Sequence, residues 1–428
     1  MVILKKILKW FGLILLSILT LLALADALWV FGPQLMAERK ISDLNNYAQG
    51  VSKLDIPDKT KIIALGEASH GNVEFQELKL AVLQTLVEKE GVKSFALEMD
   101  FGEGLLIDDY IRKGQGNLDD IVESLDFTIY RTDQIKKLIE WMKDYNSDKD
   151  ESQQLSFYGF DMQNPSNGIQ PILTYCKNQK IDLSDDDKNT LNLLKQALNQ
   201  LSDSDRTALI QVLHDIQTKI LSDQMTRQAQ LISQEINCIF KGLDYYQDYM
   251  TDYVSMNNFR DRCMAENVAW IQELEKSRGH EAIMIAGHNG HVALKGINYK
   301  TMGQHLEEKF SDQYFVIGTD YFHTKVNINT IGQDIGRGNH SFNSADPLAA
   351  QAKNYGGFYY LDFASVDKEG QTSDLISEPM SMGSLGEGYS FLMHLLPNSH
   401  RIKQIPKDLY HAMIFVYKAN PIHPYSEK

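Results

Sequence analysis

Cysteine is scarce: three residues among 428, at Cys176, Cys238 and Cys263. None has disulfide or metal spacing and each falls in a helix-like stretch, which excludes a disulfide-stapled fold and reads as buried free thiols. Basic residues are also short, with 42 Lys and Arg against 57 Asp and Glu, a formal charge of -15 and a pI near 5.3. Phosphate backbones are bound by clustered cations, so no nucleic-acid partner is expected. The sequence has no Gly-x-Ser-x-Gly elbow, leaving a serine nucleophile with little support. His-x-x-x-His and His-x-His are missing too, so a metal-free site is favoured over a zinc site. No internal repeat is found. At 43% hydrophobic and 23% charged, the chain is globular, with enough length for one large core or two domains.

One long hydrophobic run is present. Trp10 to Phe31 is broken by a single charge, Asp26, and as a helix spans about 33 Å, enough for a bilayer core. Lys5, Lys6 and Lys9 precede it while Glu38, Arg39 and Lys40 follow, which keeps the short N-terminus inside and places the large domain outside the cytoplasm. Ala23-Leu24-Ala25 resembles a signal-peptide cleavage site, but apolar residues continue past it, so an uncleaved anchor over residues 1–36 is the expectation.

Residues 37–58 then read as a lead-in helix, with Met36 to Ser52 amphipathic, and a linker around Pro57; one large domain fills 59–428. Strand-like runs at 61–66, 94–99, 155–160, 282–286 and 314–318 alternate with helical patterns at Val73–Glu88, Thr132–Tyr145, Asp261–Lys276 and Met302–Phe310. This alternation predicts an α/β fold, a mostly parallel central sheet flanked by helices. From about 184 to 256 the chain is polar, rich in Gln and Leu and free of proline, which reads as a helical insertion. The tail returns to strands at Phe358–Phe363 and Ala412–Tyr417, separated by a Gly-, Ser- and Met-rich loop, Pro379–Tyr389, with the composition of a mobile rim.

The ends of the strands carry the chemistry. The first run empties into Gly66-Glu67-Ala68-Ser69-His70-Gly71, the second ends at Glu98 and Asp100, the third at Asp161, and the fourth at Gly287-His288-Asn289-Gly290-His291. In a parallel sheet these side chains converge on one edge, where open α/β sheets place their sites. His70, in a glycine-flanked turn, is the candidate base for activating water; Glu67 can fix its tautomer, while His288 and His291 can stabilise an oxyanion or protonate a leaving alkoxide. Against this stands a plain reading in which Ser69 and Asn72 cap the next helix and Glu67 bonds its amides. Lys79 shares a stripe with Phe75, Val82 and Leu86, so its ammonium either snorkels outward or is buried against Glu67 or Glu98. Arg260 or Arg262 can clamp a substrate; equally, Asp261 can cap a helix with both arginines facing water.

These residues resemble the erythromycin esterase family, hydrolases that open the lactone of macrolide antibiotics. The resemblance rests on Gly66 to Gly71 with Glu74 and Phe75, Leu97-Glu98, Tyr158-Gly159-Phe160-Asp161, Arg260-Asp261 with Met264-Ala265-Glu266-Asn267, and Gly287 to His291. It implies an α/β sheet with a helical portion over a deep cleft, water activated by His70 with Glu67, His288 and His291 assisting, and no obligatory metal or other cofactor. Lys79, Glu98, Asp161, Glu74 and Arg260 fall into supporting places. Lys79 stands where the family favours arginine, and the membrane segment is foreign to the soluble resistance enzymes. The expected partners are therefore a small-molecule ester or lactone and, through the N-terminal helix, a membrane. The alternatives are a zinc-dependent hydrolase and, more distantly, a haem- or iron-binding module with His288 as ligand.

Overall fold

A computed structural model describes residues 2–222, 224–331 and 336–425. Its strands are β1 (Ile62–Glu67), β2 (Ser94–Asp100), β3 (Ser156–Asp161), β4 (Ile283–His288), β5 (Tyr314–Thr330), β6 (Arg337–Asn343), β7 (Phe358–Asp362), β8 (Met380–Gly383), β9 (Gly388–Tyr389), β10 (Arg401–Gln404) and β11 (Ala412–Ala419). The central sheet runs β3-β2-β4-β1-β5-β11-β7, with β6 and β9 added along β5, while β8 and β10 form a small separate pair. From β3 through β11 all neighbours are parallel; β7 and β6 are antiparallel. The expected α/β architecture is what the chain adopts.

Buried parallel strands read as continuous apolar runs because both faces are covered. Ile62 and Ala64 of β1 and Ile283 and Ile285 of β4 pack on the side of Ile236, Ile239, Met264 and Val268, from the helices Arg227–Asp244 and Tyr253–Ser277. The alternate residues Ile63, Leu65, Met284 and Ala286 pack on the opposite side with Phe75, Val82 and Leu86 of the helix Val73–Lys89 and Ile135 of Asp133–Asn146. This two-residue alternation fixes the register, which sets Gly66 beside Gly287 and Glu67 beside His288.

Helices fill most of residues 185–249: Asp185–Leu191, Asp203–Leu221 and Arg227–Asp244, then a π-helical turn Tyr245–Tyr249. The N-terminal helix Val2–Ala37 is exposed from Ile3 to Ala25 and begins to rest on the body only at Asp26. It is long and apolar enough to cross a membrane.

Four expectations are corrected. The lead-in helix over Met36–Ser52 does not form: the N-terminal helix stops at Ala37, and short 3-10 turns at Leu44–Asn46 and Val51–Lys53 flank a bridge in which Gln49 N donates to Tyr360 O at 2.9 Å. Leu44, Tyr47 and Val51 still reach the core, because this chain finds its backbone partners in the sheet edge. The Pro379–Tyr389 rim is pinned, for β8 pairs with β10 and Leu385 N donates to Ala68 O at 3.0 Å. The helix expected from Asp261 begins at Tyr253, capped by Asp252, which accepts from the amides of Val254 and Ser255. The run expected at 314–318 continues to Thr330, because β6 and β11 give its extension partners.

Candidate active site

The C-terminal edge of β1, β2, β3 and β4 carries Glu67, Glu98, Asp161 and His288. Just beyond it lie His70 and His291, the latter on the short turn of helix Asn289–Val292. Two glycines permit this crowding. A Cβ on Gly66 would collide with the Asn289 side chain, and one on Gly287 with the carboxylate of Glu98. That carboxylate accepts from His288 N at 2.6 Å, so β2 and β4 are tied at their ends.

His70 Nδ1 lies 2.7 Å from Glu67 Oε1, and Glu67 Oε2 pairs with the ammonium of Lys79. Lys79 is 1% exposed, so it is buried against Glu67 and does not snorkel. Burial works to protonate Glu67, but the charge of Lys79 and the bond to His70 outweigh it and lower its pKa to about 2. An ionised Glu67 accepts from His70 Nδ1–H, which leaves Nε2 as the basic nitrogen, without a partner among the described residues. Burial would depress His70; the hydrogen bond to Glu67 and the charges of Glu67, Glu98 and Glu387 overcome it and raise the pKa above its ordinary value. Glu67 bonds no amide of the following helix, and Ser69 donates to the Asn72 side chain, so the plain capping reading fails here.

The ring of His288 sits 4.8 Å from that of His70, centroid to centroid. Its Nδ1 accepts from Gly290 N at 3.1 Å, so its proton is on Nε2, facing Leu385 O at 3.1 Å. Burial and the neighbouring His70 and His291 lower its pKa to about 3. A neutral imidazole with both nitrogens engaged is a fixed wall for His70, not a ready acid. His291 Nδ1 donates to Asp261, 2.9 Å from each oxygen, and its Nε2 lies 3.0 Å from Arg260 Nη1. Burial would depress this ring, but the carboxylates of Asp261 and Glu98 raise its pKa.

Arg260 ties Asp161, Glu98 and His291 together. Its Nε and Nη2 donate to Asp161, Nη2 also to Glu98 Oε1 at 2.8 Å. Burial would favour the neutral guanidine, but the Asp161 and Glu98 charges hold the proton firmly. Glu98, between Arg260 and His291, is held well below the usual carboxylate range despite its burial. Arg262, by contrast, is exposed, with its guanidinium over the Phe259 ring.

Two residues named from sequence go elsewhere. Glu74 accepts from the backbone and side-chain amides of Asn420 at 2.6 Å each, fastening the end of β11. Asp100 turns back to cap the helix Phe101–Lys113 through Gly102 N and joins Glu103 and Glu235 in a separate buried acidic group. Asp261 was legible only as a cap; in the structure it is wholly buried, orienting His291 and accepting from Met302 N at 2.7 Å. Asn289 went unassigned, and it locks the turn by donating to Thr319 O at 2.7 Å.

His70, His288 and His291 line a cleft of about 400 Å³, walled also by Tyr253, Tyr299 and Ile402. A larger hollow of about 740 Å³ lies between the N-terminal helix and Pro347 and Leu375, away from these groups. Among the described residues, no three His, Cys, Asp or Glu side chains converge to hold a metal ion. Glu67 and Glu98 are taken up by Lys79 and Arg260, and His288 and His291 have their nitrogens committed, so the arrangement fits neither a zinc centre nor an axial haem ligand at His288.

The fold and this edge define an α/β protein with a buried acid-imidazole site at the ends of parallel strands. A family model described as Erythromycin esterase matches residues 87–419, and the chain belongs to that family. It is 28% identical over 298 residues to erythromycin esterase type II of Escherichia coli, covering 60% of this chain and 68% of that one. A crystal structure of a Bacillus cereus protein superposes with TM-score 0.73 at 18% identity, over 90% of this chain and 98% of the other. The erythromycin esterase EreC, in an open conformation, gives TM-score 0.62 at 15% identity, over 89% and 99%. Family membership supports a hydrolase acting on a small molecule.

Proposed function

We propose that the protein is a membrane-anchored hydrolase of an ester or lactone, in which His70 activates water without a metal. The observation that carries this reading is the His70 imidazole, fixed through Nδ1 by ionised Glu67 and presenting Nε2 to the cleft. Nε2 takes a proton from water as its oxygen attacks the carbonyl carbon. The imidazolium that forms faces the charges of Glu67 and Glu98, so the site stabilises it. When the tetrahedral intermediate collapses and the carbon–oxygen bond breaks, the same proton passes to the leaving alkoxide. His288 keeps the His70 ring in place, and Arg260, one of whose N–H groups is accepted by His291 Nε2, supplies positive charge beside the cleft.

The E. coli relative is named for erythromycin, and a macrolide lactone is accordingly one substrate class to test. The N-terminal helix supports the anchor reading by its length, apolarity and exposure, with the folded domain on the extracytoplasmic side by the lysines that precede it. The test is hydrolysis by the full-length chain of a panel of model esters and erythromycin, with chelator present. Turnover that falls about 100-fold or more in His70→Ala supports the reading. Undiminished hydrolysis by that variant would refute it.

A further inference from the structure

The apolar run Trp10–Phe31 overlaps the stretch over which the N-terminal helix rests on the folded body. Val30, still inside the run, is 8% exposed, and its carbonyl accepts from Arg401 Nη2 at 3.2 Å. One turn later Gln34 accepts from Asn343 Nδ2 at 3.2 Å. Body residues that touch the last turn of an apolar span must lie at headgroup depth, so Arg401 and Asn343 mark the level of the bilayer surface.

At that level the body carries a second apolar feature. Phe342, adjacent to Asn343, packs its ring 5.0 Å from His394 and 4.9 Å from His400, adjacent to Arg401. These contacts fasten the turn around Phe391–His394 to Phe342 and His400, the chain neighbours of the Asn343 and Arg401 that bond the helix. On its outer side Phe391, Leu392, Leu395 and Leu396 are 68%, 58%, 43% and 47% exposed. Single exposed apolar residues are ordinary; four large ones within six positions form the kind of patch that marks a partner or a membrane. Lys403, two residues from Arg401 along β10 and therefore on the same face, is exposed and suited to headgroup phosphates.

We propose that the turn Phe391–Leu396 is a second membrane contact, seated in the boundary between headgroups and acyl chains beside the anchor. The proposal rests on the anchor reading above. It has a consequence for the site: β10 gives Arg401 to the anchor and, in alternation, Ile402 and Gln404 to the cleft, so the cleft wall is held one strand from the lipid.

The test uses the full-length chain in phosphatidylcholine vesicles with an environment-sensitive fluorophore on single introduced cysteines; the three native cysteines are buried. The positions are Leu392→Cys and Leu396→Cys in the turn, Ile14→Cys in the anchor, and Ser204→Cys on the exposed surface of the helix Asp203–Leu221. Probes at 14, 392 and 396 should be blue-shifted and lose most of their emission to spin-labelled lipid, while the probe at 204 keeps its own. Quenching at 14 with 392 and 396 behaving like 204 would overturn the proposal and leave the anchor standing. A blue shift at 392 and 396 without lipid quenching would mean that protein covers the turn, which overturns it too. Absence of quenching at 14 would remove the anchor reading and this proposal with it.

Discussion

Glu67 and His70, three positions apart in one turn, face each other across 2.7 Å, while Lys79, from the next helix, closes on the far oxygen of the same carboxylate. The consequence is a one-way arrangement of charge. Lysine keeps glutamate ionised, glutamate keeps the proton on Nδ1, and the remaining nitrogen is left unprotonated on the cleft side.

Removing Lys79 should therefore cost both stability and activity. Lys79→Met leaves Glu67 buried without its main counter-charge, a loss of about 3–5 kcal/mol for a broken buried pair. Chemical denaturation at neutral pH measures it. Adding Glu67→Gln to the same chain should recover part of the stability and none of the activity.

Arg260 is expected to tolerate no exchange for lysine. Its guanidinium reaches Asp161, Glu98 and His291 at once, which a single ammonium cannot do. Arg260→Lys should destabilise the fold by about 1–3 kcal/mol and lower kcat more than it raises KM, since the substrate-facing walls stay in place. Steady-state kinetics beside thermal unfolding separate the two effects.

The buried acids away from the cleft make a prediction of opposite sign. Burial and Asp126 raise Glu103 to about 8, and burial with the charge of Glu103 raises Glu235, whose two oxygens lack partners among the described residues. A carboxyl raised on folding binds more protons in the folded state, so its contribution is full below the ordinary carboxylate pKa and is lost as pH rises towards the raised one. Glu235→Gln should therefore be stabilising by about 1–2 kcal/mol near pH 8 and close to neutral near pH 4. Thermal unfolding across that pH range checks it.

Much of this was legible in the sequence, and for physical reasons. Apolar runs such as Ile62 to Leu65 can be little but strands buried on both faces, and the glycines and ionisable residues that end them announced the edge where His70, Glu67 and His288 gather. The supporting geometry was less visible. Asp261 lies in mid-helix, where spacing alone does not show which side is inward, since the helix Tyr253–Ser277 is buried on more than one face. Glu74 shares a motif with Phe75, but a one-residue step turns its side chain towards Asn420. The segment after Ala37 carried helical periodicity, yet its apolar residues found the core from 3-10 turns and a bridge to β7, because contacts distant in sequence decided its backbone.

The most direct test of the central claim is kcat/KM against pH for the wild type and Glu67→Gln on one ester substrate. With His70 as base, activity rises as that ring loses its proton. The wild-type acid limb should then lie above the ordinary histidine value of 6.5 and move to lower pH in Glu67→Gln, where the largest raising partner is gone and burial is opposed only by the charges of Glu98 and Glu387. An acid limb that stays in the same place in both proteins would contradict the account.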